Sequence, residues 1–169
     1  MATTAEQIKI TKNQAIPCID IGNDTATPKW ARIDKSTILE ISMNAETESQ
    51  DYISQELPTE EIKNYAPAMD QEIATYRNNP IYEFMVNLFY HRKIHHGKAL
   101  LCFPPNGKGE KLAWMVTDMV YVLNAMNWAE GKLTWSMNFG GDIIEGTYEV
   151  NSDTGEITFS KTAIPGASE

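Results

Sequence analysis

Cysteine is scarce in this sequence: Cys18 and Cys102 are the only two, each in an apolar, strand-like run and neither beside a second Cys or a His at metal-ligand spacing. Both read as buried thiols, which leaves no framework of disulfides and no zinc module. Basic residues are few as well. The 14 Lys and Arg stand against 23 Asp and Glu, a net charge of -9, so the chain as a whole repels polyanions and is not an electrostatic nucleic-acid binder. Long apolar runs are missing, since nothing reaches the ~18 residues a membrane helix needs. Residues 1–14 hold no apolar run behind a basic start, so no secretory signal is expected, and a reducing, cytoplasmic site of synthesis follows.

Catalytic patterns are also absent. The run Asn106-Gly-Lys-Gly-Glu-Lys111 lacks phosphate-loop spacing and precedes a strand, so it reads as a hairpin loop. No Ser has a nucleophile-elbow glycine pattern around it, and neither Cys has His support. His91 and His95 are spaced i, i+4, but Arg92 and Lys93 between them would repel a cation; the reading is a helix end rather than a metal site. Acidic residues are many, yet they sit in a loop or on solvent-facing strand positions where nothing raises a carboxyl pKa for acid-base work. No enzyme, metal or cofactor is expected.

What is present suits one folded domain. A chain of 169 residues can bury roughly 70% of its unfolded surface around one core, and 42% apolar with 22% charged residues is ordinary for a globular protein. Residues 1–16 are polar with isolated Ile8 and Ile10, an N-terminal arm; 162–169 form a C-terminal tail; the domain is 17–161. Leu39, Ile41 and Met43 alternate with Glu40, Ser42 and Asn44, a half-buried strand. Residues 44–68 carry six acids against Lys63, with Pro58 and Pro67 and no apolar period, which reads as a long acidic loop. Met69 to Tyr76 is a further strand. One helix is expected over 80–96: Asn79 is an N-cap, Pro80 fits the first position, Ile81, Phe84, Met85, Leu88 and Phe89 form its apolar stripe, and Gly97 is the left-handed cap.

Strands follow at Ala99–Phe103, Leu112–Leu123, Lys132–Phe139, Gly146–Val150 and Glu156–Ser160, with a turn at Asp153-Thr-Gly155. The fold class is therefore mainly β, a β-sandwich or barrel with one flanking helix. Trp30, Trp114, Trp128 and Trp135 at strand spacing are core or subunit-interface residues.

The segment Thr37-Ile-Leu-Glu-Ile-Ser-Met-Asn-Ala-Glu-Thr-Glu-Ser-Gln-Asp-Tyr-Ile-Ser-Gln-Glu-Leu-Pro-Thr59 resembles siphophage tail tube proteins. So do Tyr65-Ala-Pro-Ala-Met-Asp-Gln-Glu72, Tyr76-Arg-Asn-Asn-Pro-Ile-Tyr82, Leu88-Phe-Tyr90, Met126-Asn-Trp-Ala-Glu-Gly-Lys132 and Phe139-Gly-Gly141. The resemblance covers roughly residues 30–150. It implies a virion protein assembled in the host cytoplasm, whose hexameric rings join their sheets into one inner barrel and stack into the tube through which double-stranded DNA is ejected. Tape measure, tail terminator and distal tail proteins are the partners it implies, with no membrane.

On that reading Glu40, Ser42, Asp70, Glu72, Thr134, Ser136 and Asn138 face the lumen, because a conduit should repel DNA rather than retain it. Glu48, Asp51, Tyr52, Pro58 and Tyr65 lie on the loop that bridges subunits and rings. The tube protein of a contractile tail or bacterial injection system is the alternative within this class, and a monomeric β-barrel binding a small ligand is the alternative outside it.

Overall fold

The computed structural model describes residues 8–22, 26–54 and 56–161. A short turn of 3-10 helix at Lys12–Gln14 leads into β1 (Ile16–Asp20) and β2 (Trp30–Arg32). Then come β3 (Glu40–Ser42), β4 (Ala45–Gln50), β5 (Thr59–Tyr65), β6 (Ala68–Ala74) and the helix α1 (Pro80–His91). The chain ends with β7 (His95–Cys102), β8 (Leu112–Asn127), β9 (Lys132–Val150) and β10 (Ile157–Lys161). The expected mainly β fold with one helix is what forms.

Eight strands make one antiparallel sheet in the order β2-β1-β7-β8-β9-β6-β3, with β10 also on β9. It is an open, bent sheet rather than a closed barrel: among the described residues β2 and β3, its two ends, do not pair. The bend lies within the β8–β9 ribbon. β9 gives one edge to β8 along its length, and the other edge first to β6 (Ala68↔Asn138 through Ala74↔Lys132) and then to β10 (Val150↔Ile157 through Gly146↔Lys161). The sequence reading split β9 into two strands around Gly140 and Gly141. They are instead where one strand turns, opposite a bulge between Val116 and Asp118. Gly141 has φ +61, and a Cβ there would come within 2.7 Å of Thr117 Oγ1. That hydroxyl donates to the Asp142 carbonyl (3.1 Å) and accepts from the Asp142 N–H (2.8 Å), so it clamps the turn.

Buried residues from both halves of the bent sheet form one cluster. Ile19, Ala99, Leu101 and Val116 come from one half, Met69, Ile73, Leu133, Trp135 and Met137 from the other, and Ile81, Met85 and Leu88 from the helix. A second, smaller cluster on the outer side of β1 and β7 holds Cys18, Leu100, Cys102, Ala113, Tyr148 and Ile157. Burial pushes both thiols up, Cys102 to about 12, so the expected buried, inert cysteines are present.

Among the described residues the core contains one side chain of the amide or charged kind. Gln71 is 1% exposed, and neither atom of its amide has a hydrogen-bond partner among the described residues. A buried, unpaired amide is unfavourable by about 1–3 kcal/mol. Gln71→Met, close in volume, is therefore expected to raise the unfolding free energy by about 1 kcal/mol in a urea titration; a lower midpoint would mean that the amide serves the packing.

Three sequence expectations need correction. The helix ends at His91, not at residue 96: Arg92 takes the left-handed cap (φ 51°, ψ 42°) and bonds back to Leu88 and Phe89. His95 and His96 enter β7, where the His95 ring stacks on Tyr121 (5.3 Å) and meets the edge of Phe84 (5.2 Å). Burial there holds the His95 imidazole below its ordinary pKa. The acidic segment 44–68 is not a loop. β4 and β5 pair from Ala45↔Tyr65 to Gln50↔Thr59, a hairpin that continues the β3–β6 pair beyond Asn44 (φ 44°). Both of its faces lie in solvent, so no apolar alternation marks it. The N-terminal arm stops short of Ile16, which is already in β1; the C-terminal tail at 162–169 and residues 1–7 lie outside the described residues.

Candidate functional site

Alternation along β3, β6 and β9 sorts side chains onto two faces. Ile41, Met69, Gln71, Ile73, Leu133, Trp135 and Met137 point inward, and the residues between them point out. The register places Glu40 opposite Asp70 and Asp70 opposite Ser136; Ser42 aligns with Ala68 and Asn138, and Glu72 with Thr134. All seven residues singled out as lumen-facing thus share one face of one sheet. β8 extends that face with Val120, Val122 and Asp118, opposite Asn138, Ser136 and Gly140.

The face is polar and predominantly acidic. Ser136 Oγ donates to Asp70 Oδ1 (2.7 Å) and receives a bond from Asn124 Nδ2 (3.0 Å). Glu72 accepts from Thr37 Oγ1 (2.9 Å) and pairs with Lys132 (3.2 Å). These two donors hold its carboxyl below the usual range, so the charge stays on at neutral pH. At the far end His96 Nδ1 lies 2.8 Å from Asp118 Oδ1. Of the four acids Glu40, Asp70, Glu72 and Asp118 on this face, Glu72 pairs with Lys132 and Asp118 with the His96 ring.

The edges of this four-strand unit are free in a particular way. Among the described residues β3 pairs only with β6, and β8 pairs with β7 only as far as Tyr121↔His95, so residues 122–127 keep an unpaired edge. Each consecutive pair is antiparallel, so β3 runs opposite to β8. The sheet can be continued by a copy of itself with no change of pattern.

The hairpin carries the other five candidates. Glu48 lies in β4 opposite Glu61, Tyr65 at the base opposite Ala45, and Asp51, Tyr52 and Pro58 in the connection at the tip. Unlike the sheet face, it exposes apolar side chains: Ile53 is fully exposed and Leu57 78% exposed. A lone two-stranded hairpin is marginal in water, and like charges directly opposite weaken it further.

Two features escaped the sequence reading. One is the β8 contribution to the polar face, where bulges after Val116 and Leu123 break the alternation. The other is a groove of 580 Å³ between the end of α1 and β8, lined by Phe89, Arg92, Lys93, Ile94 and Val120 to Leu123. Placing His95 and His96 in a helix had hidden it. His91 and His95 belong to different elements, so no shared helical face presents them; among the described residues no three His, Cys, Asp or Glu cluster as metal ligands, and no helix is long and apolar enough to cross a membrane.

A fold of this kind is found in a known assembly. A chain of the tail of an empty GTA particle, determined with C6 symmetry, superposes with a TM-score of 0.53 at 14% identity, over 80% of this chain and 97% of that one. The chain shares the fold of that chain. Weaker likenesses are to a chain of the anti-feeding prophage baseplate, 6-fold symmetrised (TM-score 0.49, 10% identity, 86% of this chain and 97% of that one), and to one of an extracellular contractile injection system in its sheath/tube terminator region (0.48, 9%, 83% and 99%). No family model and no curated protein matches the sequence.

Proposed function

We propose that this chain is a non-enzymatic structural subunit that joins edge to edge with copies of itself into the ring, and by stacking the tube, of a phage-tail-like particle. The observation that carries this reading is the four-strand unit β3-β6-β9-β8. It has one buried face, one polar acidic face, and two free edges that run in opposite directions. Setting β3 of one copy on residues 122–127 of β8 in the next continues the antiparallel alternation around a closed ring and removes both exposed edges. Six copies is the number we favour, in keeping with the C6 symmetry of the GTA tail. The acidic face then lines the lumen and the β4–β5 hairpin reaches from one copy to another.

None of the three similar assemblies is described as a siphophage and one is a contractile injection system. The reading is accordingly a tube subunit of either kind of tail, the contractile kind included, with other tail components at its ends. A lumen of this charge suits passage of double-stranded DNA without retention.

Negative-stain electron microscopy over a concentration series tests the assembly: rings or tubes with a central hole are expected, and a monomer at every concentration, with or without other tail components, would remove the proposal. The lining is tested separately. Tubes carrying Glu40→Lys and Asp70→Lys should release DNA at least about tenfold more slowly at low salt, with the difference lost as salt rises. Release at the parental rate would take these residues off the lumen.

A further inference from the structure

The hairpin and the groove at the end of α1 have matching chemistry. Segment 45–65 bears Glu46, Glu48, Asp51, Glu56, Glu60 and Glu61 against Lys63, and its tip presents Tyr52, Ile53 and Leu57 to solvent at 47%, 108% and 78% exposure. The groove is lined by the apolar Phe89, Val122 and Leu123 together with the cations Arg92 and Lys93. Among the described residues neither of these two cations has an ion-pair partner. Ile94 beside them is 86% exposed. Large apolar side chains this open, on two surfaces of opposite charge, mark an interface rather than a resting surface.

Strand direction supplies the connection. If β3 of one copy lies antiparallel on residues 122–127 of the neighbour's β8, as proposed above, its chain runs from Glu40 to Ser42 while the β8 numbering falls. The next positions along that edge, up to Tyr121, are already taken by β7. An added strand cannot continue there and must leave the sheet. Asn44 is the residue at which it can: its left-handed backbone (φ 44°) separates β3 from β4, and its side chain donates to the Ala66 carbonyl (3.1 Å) to hold the ribbon at that angle. The hairpin departs toward the end of β8 whose residues 120–123 line the groove.

We infer that the groove between the α1 C-terminus and β8 receives the tip of the β4–β5 hairpin of a neighbouring copy, with Ile53 and Leu57 against Phe89, Ile94 and Val122 and the acids of the hairpin against Arg92 and Lys93. The inference rests on the edge-to-edge assembly proposed above and gives its acidic arm a receiving site. Occupancy by a second copy also explains why the hairpin, unsupported within one chain, is kept: it becomes ordered structure when its apolar tip is covered.

Disulfide trapping reads this contact directly. One preparation carries Ile53→Cys, another Ile94→Cys; both positions are exposed, and native Cys18 and Cys102 are buried and stay silent. Mixed, assembled under reduction and then oxidised, the two are expected to give a crosslinked dimer containing one of each, at least about tenfold more than either preparation alone. Rings that assemble without this dimer overturn the docking site while leaving the tube proposal standing, and so does preferential crosslinking of Ile94→Cys to an Ile8→Cys copy, which would put the N-terminal arm in the groove. Failure of the parent protein to assemble would overturn both. A charge exchange gives the second arm: Lys93→Glu or Glu60→Lys with Glu61→Lys should each raise the concentration needed for assembly roughly tenfold, and the combination should recover most of that loss. Absence of recovery, with circular dichroism showing folded protein, counts against the pairing.

Discussion

A chain in which residues 46–64 are replaced by a two-residue turn is expected to fold as a monomer and to lose assembly. The hairpin adds no residue to either buried cluster, and Ala45 and Tyr65, its basal pair, remain to close the ribbon. Thermal stability should therefore change little, by about 1 kcal/mol or less, since a surface hairpin exposed on both faces contributes little to the monomer. Assembly is another matter. On the docking proposed above, Ile53 and Leu57 become two buried apolar anchors, and losing such anchors weakens an interface by about 2 kcal/mol or more each, which is roughly a thousandfold in association. Sedimentation velocity on the shortened protein should show a single small species at concentrations where the parent forms rings. Ring formation at the parental concentration would make the hairpin dispensable, and unfolding would show that it belongs to the monomer after all.

The largest expected loss of stability comes from Trp135→Ala. Trp135 is fully buried near the start of β9, between Gln71 of β6 and Leu123 of β8 in register, and belongs to the cluster that joins both halves of the sheet to the helix. Truncating a buried Trp removes about 3–5 kcal/mol, which lowers the melting temperature of a protein this size by roughly 10 °C. Trp135→Phe should lose far less, because it keeps most of the volume and removes an indole N–H that has no acceptor among the described residues. If the two variants melted together, the site would be relaxing around the loss and would not be the centre of packing.

Much of the fold was legible where one face of an element is buried. Leu39 to Asn44 and Met69 to Tyr76 alternate, so the polar face could be named by residue number before its neighbours across the sheet were known; the register then aligned them. The helix start was legible in Asn79 and Pro80, whose cap bonds to Ile81 and Tyr82 form as the sequence suggests. Its end was not, because His95 is held in β7 by Tyr121 and Phe84, contacts made across the chain that local cationic character imitates. The hairpin was invisible for a different reason. A ribbon solvated on both faces carries no hydrophobic period, so Ala45 to Gln50 reads as loop although it pairs along its length. The groove could not be found at all without the helix boundary.

The order of the strands along the chain has a consequence for synthesis. β8 and β9 are the centre of the sheet, yet they are made late; by residue 94 the available pairings are only β1 with β2, β3 with β6 and β4 with β5. β1 awaits β7, and β6 awaits β9. The buried face of β6 has no partner until Lys132–Asn138 has left the ribosome, and the edge at residues 122–127 does not exist before then. On the assembly proposed above, a nascent chain offers the β3 edge early but cannot offer the β8 edge at residues 122–127 that would receive it. If copies join as proposed, the receiving edge of a subunit exists only once its chain is nearly complete.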